Sequence, residues 1–413
     1  MSIQIFGLKK INYIYLLSPS FLILTYISLS LFLGQYVVIR QIDFHTTYYD
    51  LFVHYSSVKL ITIYFLLSGL VVFLSIPVKQ ENLELIKFQS NKKGLSQGKI
   101  LLLLGVIFLL SFASFSLRVI GGGDNFIYPV KLGLAIIIVF HTYLLKNRFK
   151  YFVYIVLIAL FVSLHYESKR EIIFLFFLIA FFEILKRSKQ LKFRLKEIFI
   201  GVFITSCLVY LIVVSSIMRG YGGFNVSSPL DASYHVVEYL QSDYVGKALA
   251  INFEISTVYG NSSNAVDYIV KDEVDYLYGS TFLKFLFLPI PRSLFPEKPQ
   301  SMVNIYTKQF APDLHAIGST RPIIIYSEVL WNFSIFGLMF LYFMINFFNR
   351  VYLKMIYQIG KRDLKVMTVF YIFMYITIIQ FIRGAGFELW LLYALVQLPF
   401  TLGVLKLLNL SKG

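Results

Sequence analysis

Apolar residues in this chain are gathered into ten long runs separated by shorter polar stretches. The runs fall near residues 14–34, 58–76, 100–119, 128–145, 151–165, 171–185, 198–218, 322–346, 366–382 and 387–405. A bilayer core is spanned by about 20 apolar residues in a helix. Lipid offers nothing to stray backbone N–H and C=O groups, so a helix is the default form for each run. The pattern predicts an all-α polytopic membrane protein of about ten transmembrane helices. A further apolar stretch at 281–291 is interrupted by Pro289 and Pro291, and it is expected to dip into the interface without crossing. The first run has Lys9 and Lys10 ahead of it and no clear small-residue cleavage site after it, which favours a retained helix over a removed signal peptide.

Composition agrees with that class. Of 413 residues, 58% are hydrophobic and 15% charged, against about 45–50% and 25% in a soluble domain. The net charge of +16 raises the question of nucleic acid, and its distribution answers it. With the N-terminus inside and the loops taken alternately, the inner face holds 23 of the 38 basic residues against five acidic ones, a balance of +18. The outer face holds the other 15 against 17 acids, a balance of −2. That asymmetry is the positive-inside bias of a membrane protein. It places both termini in the cytoplasm and excludes a nucleic-acid partner. Cys207 is the only cysteine, so no disulfide within the chain and no cysteine-based zinc site can form.

The chain divides into residues 1–218 with about seven helices, a large outer loop at 219–321, and residues 322–413 with about three more helices. The loop is rich in aromatics among its polar residues, and amphipathic spacing at 232–240 and 248–258 predicts short helices packed on the membrane-helix tops. Loops of this length in a compact protein usually carry function. The aromatics suit core packing and interfacial belts, and they could also stack on sugar rings.

The candidate chemistry sits at the outer ends of the helices. Pro289, Pro291, Pro296 and Pro299 fix several φ angles around Arg292 and Lys298, so these cations stand on a stiff, irregular backbone. Arg118, Lys169, Arg170, Arg219, Arg321 and Arg383 also cluster at outer helix ends, against the positive-inside bias. An arginine fork suits phosphate oxygens, and a diphosphate at the outer leaflet is a matching partner. Snorkelling to the interface is the plainer account of each cation taken singly. Glu328 is expected about two turns into a helix that begins near Pro322, and Glu388 in the top turn of the last helix. A carboxylate buried in a membrane helix is costly and is usually functional or paired. Glu328 is therefore a candidate base or arginine partner. His315, just before the eighth helix, could accept a proton from a sugar hydroxyl. The run Asp272-Glu273-Val274-Asp275 lacks further spaced ligands and reads as a solvated loop. No nucleotide-binding, serine-hydrolase or zinc-protease motif occurs in a supporting context.

The segment Pro289-Ile290-Pro291-Arg292-Ser293-Leu294-Phe295-Pro296-Glu297-Lys298-Pro299, then Gly318-Ser319-Thr320, then Ser327-Glu328-Val329-Leu330-Trp331-Asn332-Phe333 with Gly337, resembles the Wzy-type oligosaccharide repeat-unit polymerases of O-antigen and capsule synthesis. The likeness covers roughly residues 285–340, and family members often carry Trp at the position of Phe295 and Gly at that of Ser327. It implies a GT-C-like fold in the bacterial cytoplasmic membrane with the large loop on the periplasmic or extracellular side. It implies metal-independent transfer of a glycan from undecaprenyl diphosphate to a lipid-linked repeat unit, with no cofactor. Undecaprenyl-diphosphate-linked oligosaccharides and membrane lipid would be the partners, alongside a chain-length regulator and a flippase. In that reading Glu328 or His315 is the catalytic base, and Arg170, Arg219, Arg292, Lys298 and Arg321 hold diphosphate. An O-antigen ligase uses the same donor and fits the residues almost as well. A lipid-linked oligosaccharide flippase would place its charges at mid-depth, with internal repeats, and fits less well.

Overall fold

The computed structural model describes residues 17–39, 58–76, 94–119, 127–145, 148–165, 169–186, 195–218, 223–226, 228–242, 255–287, 290 and 293–408. Every regular element among the described residues is a helix. The first seven apolar runs form α1 (Pro19–Ile39), α2 (Val58–Leu74), α3 (Gln97–Val119), α4 (Ile127–Leu144), α5 (Phe149–His165), α6 (Lys169–Lys186) and α7 (Leu195–Met218). The described part of residues 219–321 holds α8 (Pro229–Tyr234), α9 (Val236–Gln241), α10 (Ile255–Val270), α11 (Ser280–Leu283), α12 (Met302–Phe310) and α13 (Pro312–Ala316). The chain closes with α14 (Ile325–Phe333), α15 (Gly337–Gly360), α16 (Val366–Ile376), α17 (Ile378–Gln380) and α18 (Phe387–Leu407).

Among the described residues, four helical stretches are long and apolar enough to cross a bilayer: Gln97–Ser114, Ile127–Leu144, the run Ile325–Gly360 and Phe387–Leu407. The pair Val366–Ile376 and Ile378–Gly384, bent by 46°, makes a fifth if it is taken as one broken span.

α4 shows why uniform hydrophobicity places a helix centrally. It is apolar nearly all round, with Lys131 neutralised by Glu171 of α6 at 3.1 Å, and each of Lys131–Tyr143 is buried, as a helix without a polar face must be. It is enclosed by α3, α5, α6, α16 and α18. This bundle also takes in the C-terminal half of α15 and forms one apolar core. A second core joins α1, α2, α10, α12, α14 and the N-terminal half of α15 to residues 378–390. Asn349 on α15 ties this half together: its Nδ2 donates to the Ser75 carbonyl at 2.7 Å, and its Oδ1 accepts from the Ser20 hydroxyl at 3.0 Å.

Two expected spans are broken. The run 322–346 is not one helix. Residues 321–324 are non-helical, α14 begins at Ile325, and Ser334 at φ 52° ends it. Along a straight helix residues 329 and 337 would stand about 12 Å apart. Here a Cβ on Gly337 would collide with the Val329 carbonyl, so the chain bends sharply between α14 and α15. Glu328 thus lies in the first turn of a separate nine-residue helix. The 24 residues of α15 provide about 36 Å of helix by themselves. The run 366–382 breaks at Thr377 and ends in a π-turn, Phe381–Ala385, containing Gly384 at φ 99°.

Within residues 219–321, both stretches expected to be short helices meet helical elements where they are described. The amphipathic stretch 232–240 lies within α8 and α9, capped at its start by Ser228, whose hydroxyl accepts from the Asp231 amide at 3.1 Å. Of the second stretch, residues 255–258 belong to α10, and residues 248–254 lie outside the described residues. α10 is packed between α1, α2 and α14, and all of Val258–Asp267 is buried.

Candidate functional site

Three separate segments converge around Glu328. α14 supplies Glu328 and, one turn later, Asn332. Residues 280–287 supply Thr281 from α11 and Lys284 from the 3₁₀ turn that follows it. The first turn of α18 supplies Glu388. The Thr281 hydroxyl donates to Glu328 Oε1 at 2.7 Å, and Asn332 Nδ2 donates to Thr281 Oγ1 at 2.9 Å and to the Glu328 carbonyl at 2.9 Å. Lys284 Nζ stands 2.8 Å from Glu388 Oε1. Lys284 and Glu388 are also the charges that face Glu328. All but Lys284 are buried, and the Lys284 side chain is only 14% exposed.

The local sequence explains the assembly. Helical spacing puts Glu328 and Asn332 on one face of α14. α14 is fixed from outside by Ser262 of α10, whose hydroxyl accepts from the Ile324 amide at 2.7 Å and whose carbonyl accepts from the Ser327 hydroxyl at 3.2 Å. Tyr64 of α2 donates to the Tyr326 carbonyl at 2.6 Å. The 280–287 segment is pinned by rings: Phe282 lies 5.9 Å from Phe333 and 5.0 Å from Phe340, and Phe285 lies 5.7 Å from Phe387. Edge and stacked contacts of this kind hold the backbone that carries Thr281 and Lys284.

No protein-family model, no curated protein and no solved structure matches the chain.

Of the residues singled out from sequence, Glu328 is at the centre of this group. Arg321 is buried on the non-helical segment before α14, where its amide donates to Thr307 Oγ1 at 2.7 Å. Its charge acts on the Tyr306 phenol, which also accepts from Asn264 Nδ2 at 3.2 Å. Burial pushes that phenol well above the ordinary tyrosine range, with the Asn264 bond and the Arg321 charge opposing the shift. Lys298 is half-buried and donates to the Ile290 carbonyl at 3.1 Å. His315 is exposed at the end of α13, outside the buried group. Arg170 opens α6, but its side chain lies outside the described residues, as do Arg219 and Arg292 altogether. The structure therefore joins Glu328 to Glu388, which the sequence had marked, and to Thr281, Lys284 and Asn332, which it had not. Lys284 carried a signal: a lone cation inside the apolar stretch 281–287. Thr281 carried none.

Among the described residues no group of three or more His, Cys, Asp or Glu side chains is placed to hold a metal. Chemically, the site offers a fixed carboxylate, a hydroxyl and an amide that orient it, and an ammonium alongside a second carboxylate. Thr281 engages Oε1, and among the described residues no hydrogen bond engages Glu328 Oε2.

Proposed function

We propose that this chain polymerises undecaprenyl-diphosphate-linked oligosaccharide repeat units at the outer face of the bacterial cytoplasmic membrane. The observation that carries the reading is the buried group around Glu328, built where the outer segment meets α14 and α18. Buried ionisable groups in a membrane protein are expensive and mark functional sites by default. In this reading the other apolar helices, α1, α2, α5, α6 and α7, complete about ten spans, with a GT-C-like arrangement and both termini in the cytoplasm. The inner-face charge of +18 supports that orientation.

Glu328 Oε2 takes the proton from the acceptor sugar hydroxyl as that oxygen attacks the anomeric carbon of the donor. The bond from that carbon to the lipid diphosphate breaks, and the diphosphate leaves with the bonding electrons. Thr281 and Asn332 orient the carboxylate. Arg321 and Lys298, together with Arg170, Arg219 and Arg292, neutralise charge gathering on the leaving group, where fixed electrostatics accelerates the step most. Loss of one such cation is expected to lower the rate about 10²–10³-fold. His315 is the weaker candidate base because it stands in solvent.

The test is glycan size in a deletion strain, with complementation by Arg321→Ala and Glu328→Gln. The expected result is a single repeat unit on the lipid anchor and no ladder, in the deletion and in both variants at normal protein level. Full-length polymer in the deletion strain overturns the reading. Polymer that forms but is not attached to its final carrier identifies a ligase instead.

A further inference from the structure

α8 and α9 carry two apolar faces, and only one is used within the chain. Ala232, Val236 and Tyr239 are buried against Val213, Val214 and Ile217 of α7. On the other side Leu230, Tyr234, Val237 and Leu240 are 68%, 76%, 64% and 48% exposed. These four recur at spacings of three and four, the interval of one helix face. Four large apolar side chains in a row are not left in water without reason.

The position on α7 identifies what covers them. Tyr210, Val214 and Ile217 lie on one face of α7, at i, i+4 and i+7. Toward the inner end this face is uncovered, with Tyr210 45% and Val209 46% exposed. These residues lie in the apolar run 198–218, so their surroundings are acyl chains. Toward the outer end the same face is covered by α8 and α9, which therefore pack on the lipid side of α7. Val213 to Met218 is about 8 Å of helix, so the two short helices lie within about 8 Å of the outer end of the span. Amphipathic helices that rest in a bilayer interface sit at this depth, about 5–10 Å. Between Pro229 and Gln241 the charged side chains are Asp231 and Glu238, with no Lys or Arg, so nothing there draws the segment to anionic headgroups.

We infer that α8 and α9 form a kinked interfacial helix whose Leu230–Tyr234–Val237–Leu240 stripe is embedded in the acyl region of the outer leaflet, so that the outer loop begins inside the membrane. The inference rests on the proposed spanning orientation of α7, with its C-terminal end outward, and does not need the glycosyl-transfer chemistry.

Nitroxide labels at Tyr234→Cys and Val237→Cys, in a full-length Cys207→Ser protein in phosphatidylcholine nanodiscs, test it. Collision with oxygen reports acyl surroundings, and collision with a water-soluble nickel chelate reports solvent. Tyr210→Cys serves as the lipid control and the exposed turn residue Glu273→Cys as the aqueous one. The expected result is oxygen accessibility above nickel accessibility at both sites, with nickel accessibility about tenfold below that at residue 273. Nickel accessibility equal to that at residue 273 overturns the inference, because the stripe then faces water. Low accessibility to both reagents also overturns it, because the stripe is then covered by protein.

Discussion

Removing Lys284 is the sharpest probe of the buried group. At 2.8 Å and an effective dielectric of about 20, the gross attraction between Lys284 and Glu388 is about 6 kcal/mol. Desolvation of both ions offsets much of this, so the pair contributes little relative to two apolar side chains. Breaking it from one side is different. Lys284→Met leaves the Glu388 carboxylate, 8% exposed, without its cation and facing Glu328. The expected loss is about 3–5 kcal/mol of unfolding free energy. Adding Glu388→Gln removes the abandoned charge and is expected to recover at least about half of that loss. Unfolding in mild detergent with increasing sodium dodecyl sulfate, followed by circular dichroism, measures all four corners of the cycle. If the double variant is as unstable as Lys284→Met, or if Lys284→Met stays within about 0.5 kcal/mol of the parent, the pair is not the buried contact described and the site loses its second carboxylate.

Gly384→Ala places a Cβ against the Ile323 carbonyl at φ 99° and is expected to cost at least about 2 kcal/mol, read as a lower midpoint in the same titration. Asn349→Leu removes the hydrogen bonds to Ser75 and Ser20; at about 0.6 kcal/mol for each bond in a membrane bundle, the expected loss is about 1–2 kcal/mol, and no change would mean the contacts are not made. Tyr306 holds its proton in the folded chain when the unfolded chain has released it, so it contributes stability that is present at neutral pH and falls as pH rises above about 10. Tyr306→Phe is expected to flatten that alkaline slope while losing about 1 kcal/mol at neutral pH through the Asn264 bond, and an unchanged slope in unfolding measured between pH 8 and 12 would refute the assignment. Glu328→Gln, which keeps shape but not basicity, is expected to lower polymer yield at least about 10²-fold with protein level unchanged, by assay of polymer ladders.

The class of the protein and the position of most helices were legible in the sequence, because both rest on local quantities. Twenty apolar residues in a row satisfy lipid wherever they sit, before any helix meets another. Glu328 and Glu388 stood out for the same reason: a carboxylate within an apolar run is conspicuous in one dimension. The break between α14 and α15 was not legible. Phe333-Ser334-Ile335-Phe336 contains no proline or glycine, and the bend follows from Gly337 closing onto the Val329–Leu330 backbone. Nor did composition mark α10 as buried, since Asn261, Ser262, Ser263, Asn264 and Asp267 are polar and are buried only because α1, α2 and α14 pack around α10. Thr281 and Glu328 are 47 residues apart, and Lys284 and Glu388 are 104 apart. A pairing at that separation is decided by which helices pack together, and periodicity along one strand of sequence carries no information about it. The sequence set which segments are helical; the tertiary packing alone chose which of the charged residues share a pocket.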